Sequence, residues 1–305
     1  MKILVTGGAG FIGRYLVDFL LNHHEVTIYD NLSNSSQKDI EFLLEKGAKF
    51  VNGDILDYEI LQNSCSGFDF IIHLAAKSNV ADSVIYPQIT NEVNVVGTEN
   101  IIKCCINNKI KNLIFASSSA VYDDSKVSVN ENAKTNPISP YGKSKLAAEQ
   151  MIKKKSKEFG FNAISLRMFN VYGKGQNDQY AGVISKFIKN VSENKPIQIN
   201  GDGEQTRDFV SIFDVVNAFD CAINNIEGKK GDVFNVGAGE SISINELAQM
   251  IIKISGKKNN MQHKKQNKEE IKFSQADVRL AQKELGFFAK QKLQDELINL
   301  LGVYE

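Results

Sequence analysis

Short, mainly apolar runs separated by helix-period stretches organise the first half of the chain. Ile3–Val5, Val26–Tyr29, Phe68–His73 and Leu113–Ala116 are each flanked by turn residues. Such runs read as strands buried on both faces, as in a parallel sheet. Between them, Phe11, Ile12, Tyr15, Leu16, Phe19 and Leu20 recur three or four residues apart, the spacing of an amphipathic helix. A further helix is expected over Tyr141–Phe159, followed by a strand over Asn162–Arg167. Strands alternating with helices imply right-handed crossovers and a doubly wound α/β sheet. After residue 168 the alternation weakens and glycines cluster at Gly173, Gly175, Gly201, Gly203, Gly237 and Gly239, which predicts a smaller mixed domain. The expected division is 1–168 plus roughly 208–236 for the sheet domain, and 169–207 with 237–305 for the second. Lys257–Lys268 is basic and almost free of apolar residues, and reads as a solvated loop.

Gly7, Gly10 and Gly13 fall directly after the first strand and at the start of the first helix. In that context Gly7 permits a sharp turn, Gly10 lets a pyrophosphate approach the backbone, and Gly13 allows close packing of helix on sheet. The helix start then offers free N–H groups and a positive dipole end to the phosphates. Asp30 ends the second strand, where a carboxylate can accept both ribose hydroxyls and would repel a 2′-phosphate, favouring NAD over NADP. The pattern is that of a Rossmann-type dinucleotide-binding sheet.

Composition narrows the function classes. The chain has 305 residues, 36 basic and 36 acidic, for a formal net charge of zero. A general nucleic-acid or anionic-membrane binder would carry a basic excess. No apolar run is long enough to span a bilayer, and the opening MKILVTGGAGFIG breaks into glycines too early for a signal peptide. Cys65, Cys104, Cys105 and Cys221 have no metal-ligand spacing and read as small buried hydrophobes of a reduced, cytoplasmic protein. No metal site is expected.

Tyr141 and Lys145, four apart on one helix, share a face. A nearby ammonium would lower the phenol's pKa and let Tyr141 act as a base toward a sugar or alcohol hydroxyl. A second Tyr-x-x-x-Lys, Tyr122 to Lys126, lies in an Asp/Ser-rich stretch that does not read as a helix interior. By contrast, Ser139-Pro140 before Tyr141 favours a helix start. The fifth strand runs into Ser117-Ser118-Ser119, hydroxyls at the carboxyl end where ligands of such sheets bind.

The opening TGGAGFIG, the Tyr141/Lys145 pair, SSSAVY at 117–122, LRMFNVYG at 166–173 and GDGEQTRDF at 201–209 closely resemble the extended short-chain dehydrogenase/reductase family. Within it, they are most similar to its nucleotide-sugar 4-epimerases. The resemblance selects Ser118 as the third catalytic residue beside Tyr141 and Lys145. It implies NAD contacts from Gly7, Gly10, Phe11, Ile12, Gly13, Asp30, Asn31, Asn34, Ser35, Asp54, Ile55, Leu74, Ala75, Ala76, Asn94, Ser117, Tyr141, Lys145 and Phe169. It implies substrate contacts from Ser118, Ser119, Tyr141, Asn170, Val183, Gln198, Asn200, Arg207 and Lys272, with Arg207 clamping a diphosphate through its planar fork of donors. Dehydratases of this family carry an Asp-Glu pair after the hydroxyl residue; here the positions hold Ser119 and Ala120, so water elimination lacks its acid and base. Lys272 stands where a second phosphate-binding Arg is common, and Asn200 where an aromatic or apolar residue often packs by the uracil. Ser274 matches a pocket position where a small side chain leaves room for an N-acetyl group.

The expectation is an NAD-dependent 4-epimerase of a UDP-hexose (glucose/galactose, or the N-acetyl forms, with a uronic acid also open) that passes through a 4-keto sugar. By analogy it would be a homodimer paired through Val93–Ile106 and Tyr141–Ile152. The competing readings are another enzyme of the family, such as a dehydratase, decarboxylase or dehydrogenase, and a non-catalytic NAD-sensing protein.

Overall fold

The computed structural model describes residues 1–125, 127–176, 182–265 and 271–302. It divides into two compact units. The first comprises Met1–Tyr122, Thr135–Arg167 and Val216–Phe234; the second comprises Asp123–Lys134, Met168–Val215 and Asn235–Glu305.

The first unit is built on a seven-stranded parallel sheet flanked by helices, the Rossmann-type α/β arrangement. Its strands lie in the order Lys230–Val236, Asn162–Met168, Asn112–Ser118, Phe70–His73, Lys2–Thr6, Glu25–Asp30 and Lys49–Asn52. From the first strand the chain winds outward through Glu25–Asp30 to Lys49–Asn52, then returns to Phe70–His73 on the opposite side. Val5 thus pairs with Ile28 on one flank and Ile72 on the other. The reversal creates the switch point of the sheet, outside whose carboxyl ends such folds bind ligands. The strands are buried because Leu4, Ile71, Leu113 and Phe115 pack on Ile101, Ile102 and Ile152 from the helices.

Local sequence explains the long helix Pro140–Phe159. Ser139 accepts a hydrogen bond from the Gly142 N–H, Pro140 occupies the first turn, and Gly160 ends the helix at φ 83°. The helix before it differs from the expected Val93–Ile106. A π-turn at Glu92–Val96 precedes the α-helix Gly97–Asn107. The large apolar side chains exposed nearby lie upstream of it, at Val84, Ile85, Tyr86 and Ile89. The edge strand Lys49–Asn52 had no sequence signal, because only two of its four residues are apolar.

In the second unit, Phe187, Ile188 and Val191 pack with Leu247, Ile251 and Leu297. Two features correct the sequence reading. Within the basic run, Met261–Lys264 is a strand paired in parallel with Ile197–Asn200, and Gln198 donates to Gln262 at 2.9 Å. Backbone pairing at an edge forms this strand, so no apolar pattern announces it; residues 266–268 of the run lie outside the described residues. Residues 123–134 and 208–215 cluster with the second unit rather than the sheet unit. Val129 pairs with Ala276 and accepts from the Asn235 side chain at 2.8 Å. Asp208 receives the N–H groups of Ala238, Gly239 and Ala276.

Among the described residues, no helix is long and apolar enough to cross a membrane, and no cluster of His, Cys, Asp and Glu could hold a metal ion. Cys65, Cys104 and Cys105 are buried thiols, and Cys221 is partly exposed.

Candidate active site

The glycine loop has the close contacts its spacing requires. Gly7 sits at φ 71°, and a Cβ there would come within 2.6 Å of the Ala75 nitrogen, where the loop after Phe70–His73 passes. A Cβ on Gly13 would lie 2.4 Å from the Gly7 carbonyl oxygen, so the helix starting at Phe11 packs directly on the turn. Gly10 caps that helix without a side-chain hydrogen bond. The first-turn N–H groups therefore have no side-chain acceptor at the cap and suit a pyrophosphate.

Asp30 accepts the N–H of Leu32 at 2.8 Å on one oxygen and of Ala9 at 3.1 Å on the other. Each carboxylate oxygen has a second lone pair, so the residue can organise the loop and still accept a ribose hydroxyl. Asn31 donates to Asp54 at 2.8 Å, and Tyr29 donates to the Asp54 carbonyl at 3.0 Å, so two strand ends meet at one edge. Ile55 is buried and presses on Gly97, whose Cα leaves no room for a Cβ. Asn34 and Ser35 follow on the same loop, exposed and half-buried. These features fit NAD.

Two expected cofactor contacts also make hydrogen bonds within the protein. Asn94 is buried, exchanges hydrogen bonds with both backbone groups of Lys77 at 2.8 and 3.0 Å, and donates to Ser144 at 2.9 Å. Its amide ties the loop after Ala75-Ala76 to the helix carrying Lys145. Ser117 is buried and its hydroxyl donates to Glu149.

The three catalytic candidates come together. Ser118 lies beside the Tyr141 phenol and acts to lower its pKa, and Lys145 follows on the same helix with its ammonium 5.9 Å from the Tyr141 ring. The Ser118 oxygen accepts the Ala120 N–H at 3.1 Å. Lys145 donates to the Ala116 carbonyl at 2.9 Å and lies over the Phe115 ring. The electrostatics differ from the sequence expectation. Burial holds the Tyr141 phenol above its ordinary value, opposed by the Ser118 hydrogen bond. Burial pushes Lys145 down to about 7, partly offset by Glu149. The lysine's charge is itself disfavoured in this site, so it offers the phenol little by itself. His73, beside them, is pushed down to about 3 by burial and by Lys145 and is neutral between two threonine hydroxyls. In the competing Tyr-x-x-x-Lys copy, the Tyr122 phenol accepts from Arg167 at 2.9 Å; Lys126 lies outside the described residues.

The second unit encloses a cavity of about 450 Å³ lined by Asn170, Val183, Gln198, Asn200 and Arg207. Five expected substrate residues therefore share one pocket. Lys272 is exposed, but its carbonyl accepts from Thr206, next to Arg207. Phe169 is buried, its N–H bonded to Val236. Ser119 opens the short 3-10 turn Ser119–Val121. Sequence reasoning missed Lys186 and Asn190 on the cavity wall. Their signal was helical periodicity, since residues three and seven after Val183 share its face.

The family model for NAD-dependent epimerases and dehydratases matches residues 3–237. A Methanocaldococcus jannaschii protein provisionally named as a UDP-glucose 4-epimerase is 41% identical over 254 residues, covering 82% of this chain and 81% of its own. The crystal structure of the Thermotoga maritima UDP-glucose 4-epimerase with UDP-glucose superposes with a TM-score of 0.93 at 33% identity, covering 100% of this chain and 98% of that one. The Bacillus cereus UDP-glucuronic acid 4-epimerase, solved with UDP-glucuronic acid and NAD, gives 0.91 at 32% identity over the full length of both. The chain belongs to the NAD-dependent epimerase/dehydratase family, and NAD is its cofactor.

Proposed function

We propose that the protein is a 4-epimerase of a UDP-hexose. The observation that carries this reading is the convergence of Ser118, Tyr141 and Lys145 at the end of the strand Asn112–Ser118, followed by Ser119 and Ala120 where a dehydratase needs carboxylates. NAD, when bound, supplies a hydride acceptor for C4 that is restored in each turnover. Its positive charge favours the phenolate that burial alone opposes. Tyr141 takes the 4-hydroxyl proton and later returns it, while Ser118 donates to the phenolate oxygen and fixes the line of transfer. Lys145 sits beside the phenol, its charged form opposed by burial and favoured by Glu149. Arg207 and the uncapped start of the helix Val183–Ser192 are suited to a diphosphate. Holding the substrate by its nucleotide end leaves the hexose free to turn about its glycosyl–phosphate linkage and present its other face.

Proton NMR of the purified protein with UDP-glucose and no added NAD should reveal UDP-galactose growing to a constant ratio. The half-buried Ser274 favours a second run with UDP-N-acetylglucosamine. A 4-keto-6-deoxy sugar in either run would overturn the reading in favour of a dehydratase, and silence in both runs with NAD present would overturn it outright.

A homodimer is the assembly we infer, supported by the exposed Val84, Ile85, Tyr86 and Ile89. Light scattering should give twice the 33.9 kDa chain mass, and Ile85→Asp should halve it. A wild-type protein that scatters as a monomer would refute the assembly.

A further inference from the structure

Three consecutive residues at the end of the strand Asn112–Ser118 meet three residues on one face of the helix Pro140–Phe159. Ala116 accepts from the Lys145 ammonium, Ser117 donates to Glu149, and Ser118 lies beside the Tyr141 phenol. Residues 141, 145 and 149 are spaced by four, so they form one stripe along the helix. The outermost tie is the unusual one. Glu149 is 5% exposed, and a buried carboxylate requires compensation. Arg167 provides it with a two-pronged contact, Nε to Oε1 at 2.9 Å and Nη2 to Oε2 at 2.7 Å. Arg167 also donates to the Tyr122 phenol at 2.9 Å. Packed apolar residues replacing both Glu149 and Arg167 would stabilise the fold about as well as this pair does, so stability gives little reason for burying it.

We infer that Glu149 is a positioning residue for the reaction: held by Arg167, it anchors the strand end that presents Ser118 and sets a fixed negative charge one helical turn from Lys145. The groups facing Lys145 are Tyr141 and Glu149 on its own helix, and Phe115 and the neutral His73 from the strands. Glu149 itself faces Arg167, Ser117 and Lys145. Glu149 is therefore the anionic group acting on the lysine, and it opposes the burial that drives Lys145 toward its neutral form.

Glu149→Gln keeps the shape and removes the charge. The Lys145 titration is read from its Cε carbon-13 shift in lysine-labelled, NAD-containing protein, with the signal assigned by its loss in Lys145→Met. The midpoint should fall by about 1–3 units in Glu149→Gln and stay near the wild-type value in Glu149→Asp. The kinetic arm rests on the epimerase reading; the titration does not, so a wild-type protein inactive on the sugar nucleotides indicts that reading alone. In active protein, kcat near neutral pH should fall about tenfold or more with KM nearly constant, and the alkaline limb of the pH profile should move to lower pH. If the uncompensated Arg167 prevents folding, Glu149→Gln/Arg167→Met removes both charges and carries the same expectations. Ser117→Ala keeps the ion pair and cuts only the strand tie, so it should lower kcat several-fold without moving the Lys145 midpoint. A folded Glu149→Gln or double variant with an unmoved Lys145 midpoint overturns the proposal. So does a Ser117→Ala variant with wild-type kcat.

Discussion

Tyr141→Phe should lower kcat for UDP-hexose epimerisation by roughly 10²–10⁴-fold, the range for losing a positioned acid–base group. The ring is buried and packs through its aromatic body, while the phenol oxygen lies beside Ser118. Phenylalanine keeps the packing and removes the only atom on the ring that can carry the proton. KM should change little, because the cavity lined by Arg207 and Asn170 is untouched. The variant should also retain its NAD and its melting temperature, which separates lost chemistry from lost structure. Single-turnover measurement with proton NMR of the sugar is the check. A Tyr141→Phe protein within tenfold of wild type would remove Tyr141 from the mechanism.

Gly13→Ala should abolish NAD retention and destabilise the fold. The added methyl would stand 2.4 Å from the Gly7 carbonyl oxygen and 2.6 Å from the Gly8 Cα. Both obstacles are backbone, so no rotamer change relieves the clash; either the helix lifts from the sheet or the turn opens. Overpacking of this kind costs about 1–3 kcal/mol where the surroundings can adjust. Gly10→Ala is the informative comparison, since its methyl meets only the Gly7 oxygen, at 3.2 Å. It should leave the NAD-stripped protein close to wild type in thermal stability while weakening NAD binding, because the bare Cα at this position admits the pyrophosphate. Melting temperatures of stripped protein and NAD released on denaturation measure both effects. Equal melting temperatures for Gly13→Ala and wild type would contradict the packing argument.

The two substitutions probe parts of the molecule that differ in how they were encoded. The glycine loop, Asp30 and the Tyr141–Lys145 stripe are local: spacing along a known strand–turn–helix fixes which atoms can approach. Ser118 was different. Three adjacent serines are equivalent in a sequence, and a family resemblance was needed to prefer the middle one. Their partners separate them: Ser117 donates to Glu149, while Ser118 lies beside the Tyr141 phenol.

Other features were settled at still longer range. Asn94 was expected near the cofactor, yet its amide is spent on Lys77 and on Ser144, 17 and 50 residues away in the chain. The strand Met261–Lys264 sits in a run whose composition says loop, and exists because Ile197–Asn200 offers an edge to pair with. Lys186 and Asn190 became visible as cavity wall only once the helix beginning at Val183 was oriented.

By itself, then, the sequence determined the parallel sheet, the dinucleotide loop and the stripe of Tyr141 and Lys145, because each follows from periodicity or spacing within one or two elements. Only the tertiary structure decided the protonation environment of that stripe. Burial raises the Tyr141 phenol and lowers Lys145, and Glu149 is paired with an arginine 18 residues further along the chain. Desolvation depends on everything packed around a group, and no local pattern in a chain records it.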